Sequence, residues 1–175
     1  MSDLTPTYLL DKNIARKFIT CLYEGAFMDD AAVTVLLFWD RSHAAGTRLL
    51  ISPETANILR RFDSFREVHI FLASVEVLRG SRYFKRWARR LRAFGFTRED
   101  AKLLALGAFG TDEQGAILGV DVIITLDQRL MNNYQVRLPE IQARLSDMTA
   151  QLPPPFCHAS LPKVLGPEEI LEREG

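Results

Sequence analysis

Three aspartates occupy positions at which an α/β chain commonly gathers carboxylates. Asp11 follows a short apolar run, and Asp127 follows the longer apolar run 120–126. Asp100 lies in the first turn of a predicted helix. Because the carboxyl ends of parallel strands and the starts of the following helices share one rim of a sheet, we expect the three side chains to converge.

Carboxylates gathered in this way repel one another. At about 5 Å and an effective dielectric near 20, each pair costs roughly 3 kcal/mol. A divalent cation removes that cost, and an all-oxygen ligand set suits Mg²⁺ or Mn²⁺ rather than zinc. Asp11, Asp100 and Asp127 are therefore candidate metal ligands, and the chemistry that follows is metal-assisted attack of water on a phosphodiester.

Two further residues belong to this candidate site. Glu54 lies in the first turn of the helix after the predicted strand Arg48–Ile51 and is a candidate metal ligand. Thr125 precedes Asp127 by two residues and is placed to hydrogen-bond a ligating carboxylate. Structural roles also account for these residues, since acids favour helix starts and strand-end aspartates form turns.

The intervening sequence predicts alternating strands and helices. The strands are apolar on both faces, which is typical of a parallel sheet covered by helices on both sides. We expect a single domain over residues 1–175, in which 151–175 form a Pro-rich C-terminal strand and tail. The predicted strands cover residues 8–10, 48–51, 68–77, 120–126 and 156–161. The predicted helices cover residues 14–22, 29–46, 53–62, 83–94, 101–108 and 128–152. Gly25 closes the first of these helices, and Thr97 opens the helix at 101–108.

Composition narrows the function classes. The chain has 175 residues with 47% hydrophobic and 25% charged residues and no formal net charge, so no whole-molecule field draws it to nucleic acid. Its two cysteines cannot form a zinc quartet. The glycine-rich phosphate, dinucleotide and serine-hydrolase motifs are missing from the sequence. No secretion signal or membrane-length apolar run is present, so we expect a cytoplasmic protein without membrane contact.

One helix carries a basic face. Its apolar face bears Phe84, Trp87 and Leu91, and we expect the basic side chains opposite to be exposed. Such a face can follow RNA phosphates, although this pattern is more typical of a solvated helix surface. The candidate RNA-binding residues are Lys85, Arg86, Arg89 and Arg90.

Four segments, in order, resemble the motifs of PIN-domain proteins: Leu-Leu-Asp-x-Asn, Ile-Ser-Pro-Glu-Thr, Arg-Glu-Asp-Ala and Ile-Ile-Thr-Leu-Asp. The resemblance implies a three-layer α/β/α fold and a Mg²⁺- or Mn²⁺-dependent endoribonuclease. Many such proteins are toxins of toxin–antitoxin pairs, which adds an antitoxin-like protein and a second copy of the chain to the expected partners. Asp11, Asp100 and Asp127 match the family's acids, and Thr125 matches its threonine.

The chain departs from the family pattern at one point. The family usually has a glutamate about one turn into the helix after Ser-Pro-x-Thr, where this sequence has Asn57 and Ile58. Glu54 is the nearest acid. Two hypotheses follow: a metal-dependent ribonuclease, or a catalytically weak PIN-like module that binds RNA or a protein partner.

Overall fold

A five-stranded sheet forms the centre of the molecule, which the computed structural model describes for residues 5–24 and 29–174. All strand pairs in this sheet are parallel. Three further short strands form a separate antiparallel sheet. In chain order the elements are β1 (Thr7–Leu10), α1 (Lys12–Glu24), α2 (Asp30–Ala44), β2 (Arg48–Ile51), α3 (Pro53–Arg60), α4 (Arg66–Ser74), β3 (Val75–Val77), β4 (Arg79–Gly80), α5 (Phe84–Arg92), α6 (Arg98–Ala108), β5 (Gly110–Asp112), β6 (Gly115–Ile117), β7 (Val122–Ile124), α7 (Gln128–Thr149), a 3-10 turn (Phe156–His158), β8 (Lys163–Leu165) and α8 (Pro167–Glu174).

The strand order of the main sheet creates one topological switch point. The order is β3-β2-β1-β7-β8, so the chain first adds strands on one side of β1 and then returns to its other side with β7. In parallel sheets, ligands bind in the crevice at the carboxyl ends of the strands where this reversal occurs. Asp11 follows β1, and its backbone N–H donates a 2.9 Å hydrogen bond to the carbonyl of Ile124 at the end of β7.

Side chains alternate across the sheet and bury both faces. Leu9, Leu50 and Ile123 belong to an apolar cluster shared with α5, α6 and α7. Their chain neighbours Leu10 and Ile51 belong to a second cluster shared with α1 to α4 and α8. This alternation confirms the predicted α/β architecture, with a parallel sheet between two helical layers.

Among the described residues, four helices begin at side-chain caps, and three of these caps fix the position of a candidate acid. Ser52 accepts a 3.1 Å hydrogen bond from the Thr55 N–H at the start of α3. Thr97 accepts a 3.1 Å bond from the Asp100 N–H at the start of α6. Asp127 itself caps α7 through the Leu130 N–H. Such caps satisfy N–H groups that have no partner within the helix.

One predicted strand is wrong. The sequence predicts a strand over 68–77, but Arg66–Ser74 is a helix and only Val75–Val77 is a strand. Val68 and Phe71 are fully buried, whereas His69 between them is exposed. Burial at a spacing of three residues is helical, so packing of one face outweighs the β propensity of this apolar segment.

The C-terminal segment also differs from the prediction. Residues 156–161 form no edge strand, because Phe156–His158 is a 3-10 turn and the edge strand is Lys163–Leu165. The expected tail is the helix α8, which begins at Pro167, a favourable first helical residue. Ile170 of this helix is buried against the second apolar cluster. The predicted helix end at Gly25 lies outside the described residues.

Across residues 5–24 and 29–174, no helix is both long enough and apolar enough to cross a membrane.

Candidate functional site

The carboxyl ends of β1 and β7 open into a cavity of about 500 Å³. All four predicted acidic residues line it: Asp11, Glu54, Asp100 and Asp127. The switch point supplies Asp11 and Asp127 from neighbouring strands, while α3 and α6 supply the other two acids. Thr125 is not part of the lining, because it is fully buried beneath the cavity floor and contacts Asp11 from there.

The environment of Asp11 disfavours its charged form. Burial raises the pKa of Asp11 above its ordinary value of 3.8, and the negative charge of Asp100 raises it further. Hydrogen bonds from Thr125 and from the Lys12 backbone N–H oppose this shift without cancelling it. The charged form of Asp11 is thus destabilised unless a cation lies close by.

A hydrogen-bond network fixes the orientation of Asp11. The Thr125 hydroxyl donates to Asp11 Oδ2 at 2.7 Å and accepts from Asn13 Nδ2 and from the Asp127 N–H, each at 3.0 Å. Asn13 Oδ1 in turn accepts from the Leu126 N–H at 3.1 Å. The network joins the loop after β1 to the loop after β7. Sequence reasoning gave Asn13 no role, although its place two residues after Asp11 is the signal that could have identified it.

Lys12 and Glu99 were also missed from the sequence. The Lys12 ammonium forms an ion pair with Glu99 and lies 3.9 Å from Glu54 Oε1. The hydrogen bond from the Lys12 ammonium to the Glu99 carboxylate holds the pKa of Glu99 below its ordinary value. Lys12 directly follows Asp11 in the sequence, and Glu99 directly precedes Asp100. Their position next to a candidate acid could have identified both residues as part of the site.

The positions at which the PIN family usually has its glutamate do not reach the cavity lining. Asn57 is exposed and accepts a 3.1 Å hydrogen bond from Arg60. Ile58 packs against the second apolar cluster. Glu54 is therefore the acid that α3 presents to the cavity.

The donor set suits a hard divalent cation, although it is not a closed cage. In the described part of the chain, no three carboxylate, thiol or imidazole side chains lie close enough together to hold a metal ion as they stand. Asp127 uses Oδ1 to cap α7 at 3.0 Å, and its Oδ2 has no hydrogen-bond partner among the described residues. Oxygen donors around a partly desolvated carboxylate fit Mg²⁺ or Mn²⁺.

A separate groove lies beside the cavity and shares Asp100 with it. Its lining includes Asp100 together with Arg129, Asn132, Asn133 and Arg137 of α7. Arg137 pairs with Glu140 at 3.3 Å, whereas Arg129 forms no ion pair with any described residue. Guanidinium and amide donors next to an acidic cavity are suited to an anionic chain that passes the site.

The basic helix α5 begins at the cavity, where Phe84 is part of the lining. Lys85 and Arg89 are exposed as predicted, but Arg86 and Arg90 are half-buried, so the expectation that all of them are exposed is wrong. Desolvation lowers the pKa of Arg90, and the nearby charges of Arg144 and Arg86 lower it further. Arg144 of α7 therefore lies close enough to Arg90 for its charge to act on it.

No family model, no curated protein and no solved structure matches this chain. The resemblance to PIN-domain proteins therefore stays a prediction from the four motifs.

Proposed function

We propose that this protein is a Mg²⁺- or Mn²⁺-dependent ribonuclease that hydrolyses RNA phosphodiesters at the cavity between β1 and β7. One observation carries the proposal: Asp11, whose pKa is raised by burial and then by the neighbouring Asp100, lines the switch-point cavity together with Asp127. Uncompensated carboxylates in a cleft are typical of functional sites, because the fold tolerates their cost only where a ligand relieves it.

Each residue of the site has a distinct task in this proposal. Asp11, Asp100 and Asp127 would hold the ion, and Thr125 keeps Asp11 in one orientation through their 2.7 Å hydrogen bond. A bound Mg²⁺ or Mn²⁺ would supply a Lewis acid that lowers the pKa of the attacking water and stabilises the charge that develops on the phosphate. In the hydrolysis, the water oxygen forms a bond to phosphorus, the bond to the leaving oxygen breaks, and that oxygen takes up a proton.

The surroundings favour a polymeric substrate over a small phosphoester. The groove past Asp100 carries Arg129, and the basic helix α5 starts at the cavity wall. Together they place cationic and amide hydrogen-bond donors over a surface larger than a single phosphate group needs. Phosphate contacts of this kind position a nucleic acid without reading its sequence. The motif resemblance favours RNA over DNA.

The experiment is cleavage of a fluorescent single-stranded RNA by the full chain in MnCl₂, with and without EDTA. We expect cleavage that EDTA abolishes and that Asp11→Asn lowers about 100-fold or more, because loss of a ligand charge removes several kcal/mol of transition-state stabilisation. Asp40→Asn is the matched control, since Asp40 is an exposed acid of α2 outside the cavity lining. Cleavage that survives EDTA, or that Asp11→Asn leaves unchanged, would overturn the proposal.

A binding module is the second candidate function. Two observations favour it: Asn57 and Ile58 lie outside the cavity lining, and the carboxylates do not form a ready-made metal cage in the described residues. Such a module binds the same RNA, leaves it intact in MnCl₂, and keeps its affinity in the Asp11→Asn variant.

A further inference from the structure

The Lys12 side chain places a fixed positive charge inside the cavity. It is the first residue of α1, its side chain is only 21% exposed, and it belongs to the cavity lining together with Asp11. Its ammonium bonds Glu99 and lies 3.9 Å from Glu54 Oε1. Lys12 at the start of α1 therefore connects Glu54 at the start of α3 with Glu99 at the start of α6.

The cavity lining carries a net negative formal charge. Among the described residues it holds five carboxylates and three cationic side chains, Lys12, Arg16 and Lys102, a formal difference of minus two. Lys12 pairs with Glu54 and Glu99, and its charge also acts on Asp11. Asp11, Asp100 and Asp127 form no ion pair with any described residue. One divalent cation matches the net charge of the lining, and two would leave it with a formal excess of plus two.

We propose that the Lys12 ammonium takes the place of a second cation, so that the cavity binds a single divalent ion at Asp11, Asp100 and Asp127. This inference rests on the proposed function and adds a property of its site: one resident metal and one built-in organic cation. Lysine suits this place because its ammonium is a compact charge with three donors on a long stem. Glu54 and Glu99 then hold Lys12 rather than ligate metal.

The test counts Mn²⁺ ions bound to the full chain by titration calorimetry. We expect one ion per chain for the wild type and two for Lys12→Met, because the substitution leaves Glu54 and Glu99 without their cation. Lys12→Arg keeps the charge and should bind one. Lys12→Gln provides the same comparison with a polar side chain, and circular dichroism establishes that each variant is folded.

Arg16→Met is the matched control. Arg16 also lines the cavity, but it is exposed and forms no ion pair in the part of the chain that the structure describes. Its removal changes the cavity charge by the same amount without freeing a paired carboxylate. We therefore expect tighter binding of a single ion and no second ion.

The outcomes separate this inference from the proposed function. Two ions in the wild type, or one ion in both folded variants Lys12→Met and Lys12→Gln, would overturn the role of Lys12 and leave the metal-dependent ribonuclease standing. A second ion in Arg16→Met would also overturn it, because net charge alone would then explain the count. No ion in the wild type would overturn both proposals.

Discussion

The Thr125 hydroxyl donates a 2.7 Å hydrogen bond to Asp11 Oδ2, and this bond joins the ends of β7 and β1 from below the cavity. Thr125 is fully buried, whereas Asp11 is half-buried and lines the cavity. The same oxygen accepts from Asn13 and from the Asp127 N–H. The orientation of the Asp11 carboxylate is therefore set by the two strands that flank the switch point.

Removing this hydroxyl should affect both activity and stability. Thr125→Val leaves the half-buried Asn13 amide and the Asp127 N–H without their acceptor, and we expect a loss of about 1–3 kcal/mol in the free energy of unfolding. RNA cleavage should fall because Asp11 loses its fixed orientation. Thr125→Ser keeps the hydroxyl and is the control, with activity close to wild type. Urea unfolding and RNA cleavage measure the two effects, and equal cleavage by Thr125→Val and wild type would show that the bond has no part in the reaction.

Asp11→Asn should raise the stability of the metal-free protein at neutral pH. Because the folded-state pKa of Asp11 lies above its ordinary value of 3.8, folding favours the protonated form. The wild type therefore loses stability as the pH rises from about 4 through the folded-state pKa, and the asparagine variant does not. The difference in unfolding free energy between the two proteins, measured in EDTA, should be small at pH 4 and larger at pH 7. A difference that shrinks over this range would contradict the raised pKa.

Asp127 has two roles that separate by substitution. As the N-cap of α7 it contributes to stability, and as a carboxylate it is a candidate ligand. Asp127→Asn keeps a good cap and should unfold close to wild type, while its RNA cleavage falls sharply. Asp127→Ala loses the cap and should cost about 0.5–2 kcal/mol in addition. Thermal unfolding with parallel cleavage assays distinguishes the two, and a fully active Asp127→Asn variant would remove Asp127 from the ligand set.

The exposed basic side chains of α5 should contribute to RNA affinity through phosphate contacts. Reversing Lys85 and Arg89 to Glu should weaken binding across RNA sequences and make its salt dependence shallower, since each lost contact on a single strand removes about 0.7 from the slope. Arg61→Glu with Arg66→Glu is the control, because both are exposed basic residues of the opposite helical layer. Fluorescence anisotropy at several salt concentrations measures both pairs. Equal slopes for the α5 variant and wild type would show that this face is only solvated.

Local signals explain why much of the fold could be predicted. β2 is a continuous apolar run bounded by a cap, and its predicted range Arg48–Ile51 matches the structure. The predicted helix start at Thr97 is also confirmed, and both its cap and the cap at Ser52 are local signals whose bonds span only three residues. The strand prediction was wrong over residues 66–74, because the same apolar residues suit a strand or a helix and the sequence does not show which face is buried.

The missed parts of the site depend on distant pairings. Lys12 and Glu99 are 87 residues apart in the chain, and Asn13 and Thr125 are 112 apart. No local pattern encodes such a contact, since it exists only after β1, β7 and α6 reach the same rim. The acids themselves could be named because each follows a strand or starts a helix, and those positions share one end of a parallel sheet.

The most direct test of the central claim is an anomalous difference map from a crystal of the full chain soaked in MnCl₂. The proposal predicts a peak in the switch-point cavity, with carboxylate oxygens of Asp11 and Asp100 about 2 Å from it, and no peak there in an Asp11→Asn crystal. A cavity without a peak at saturating MnCl₂, or a peak that persists in the Asp11→Asn crystal, would contradict a metal-dependent site at these residues.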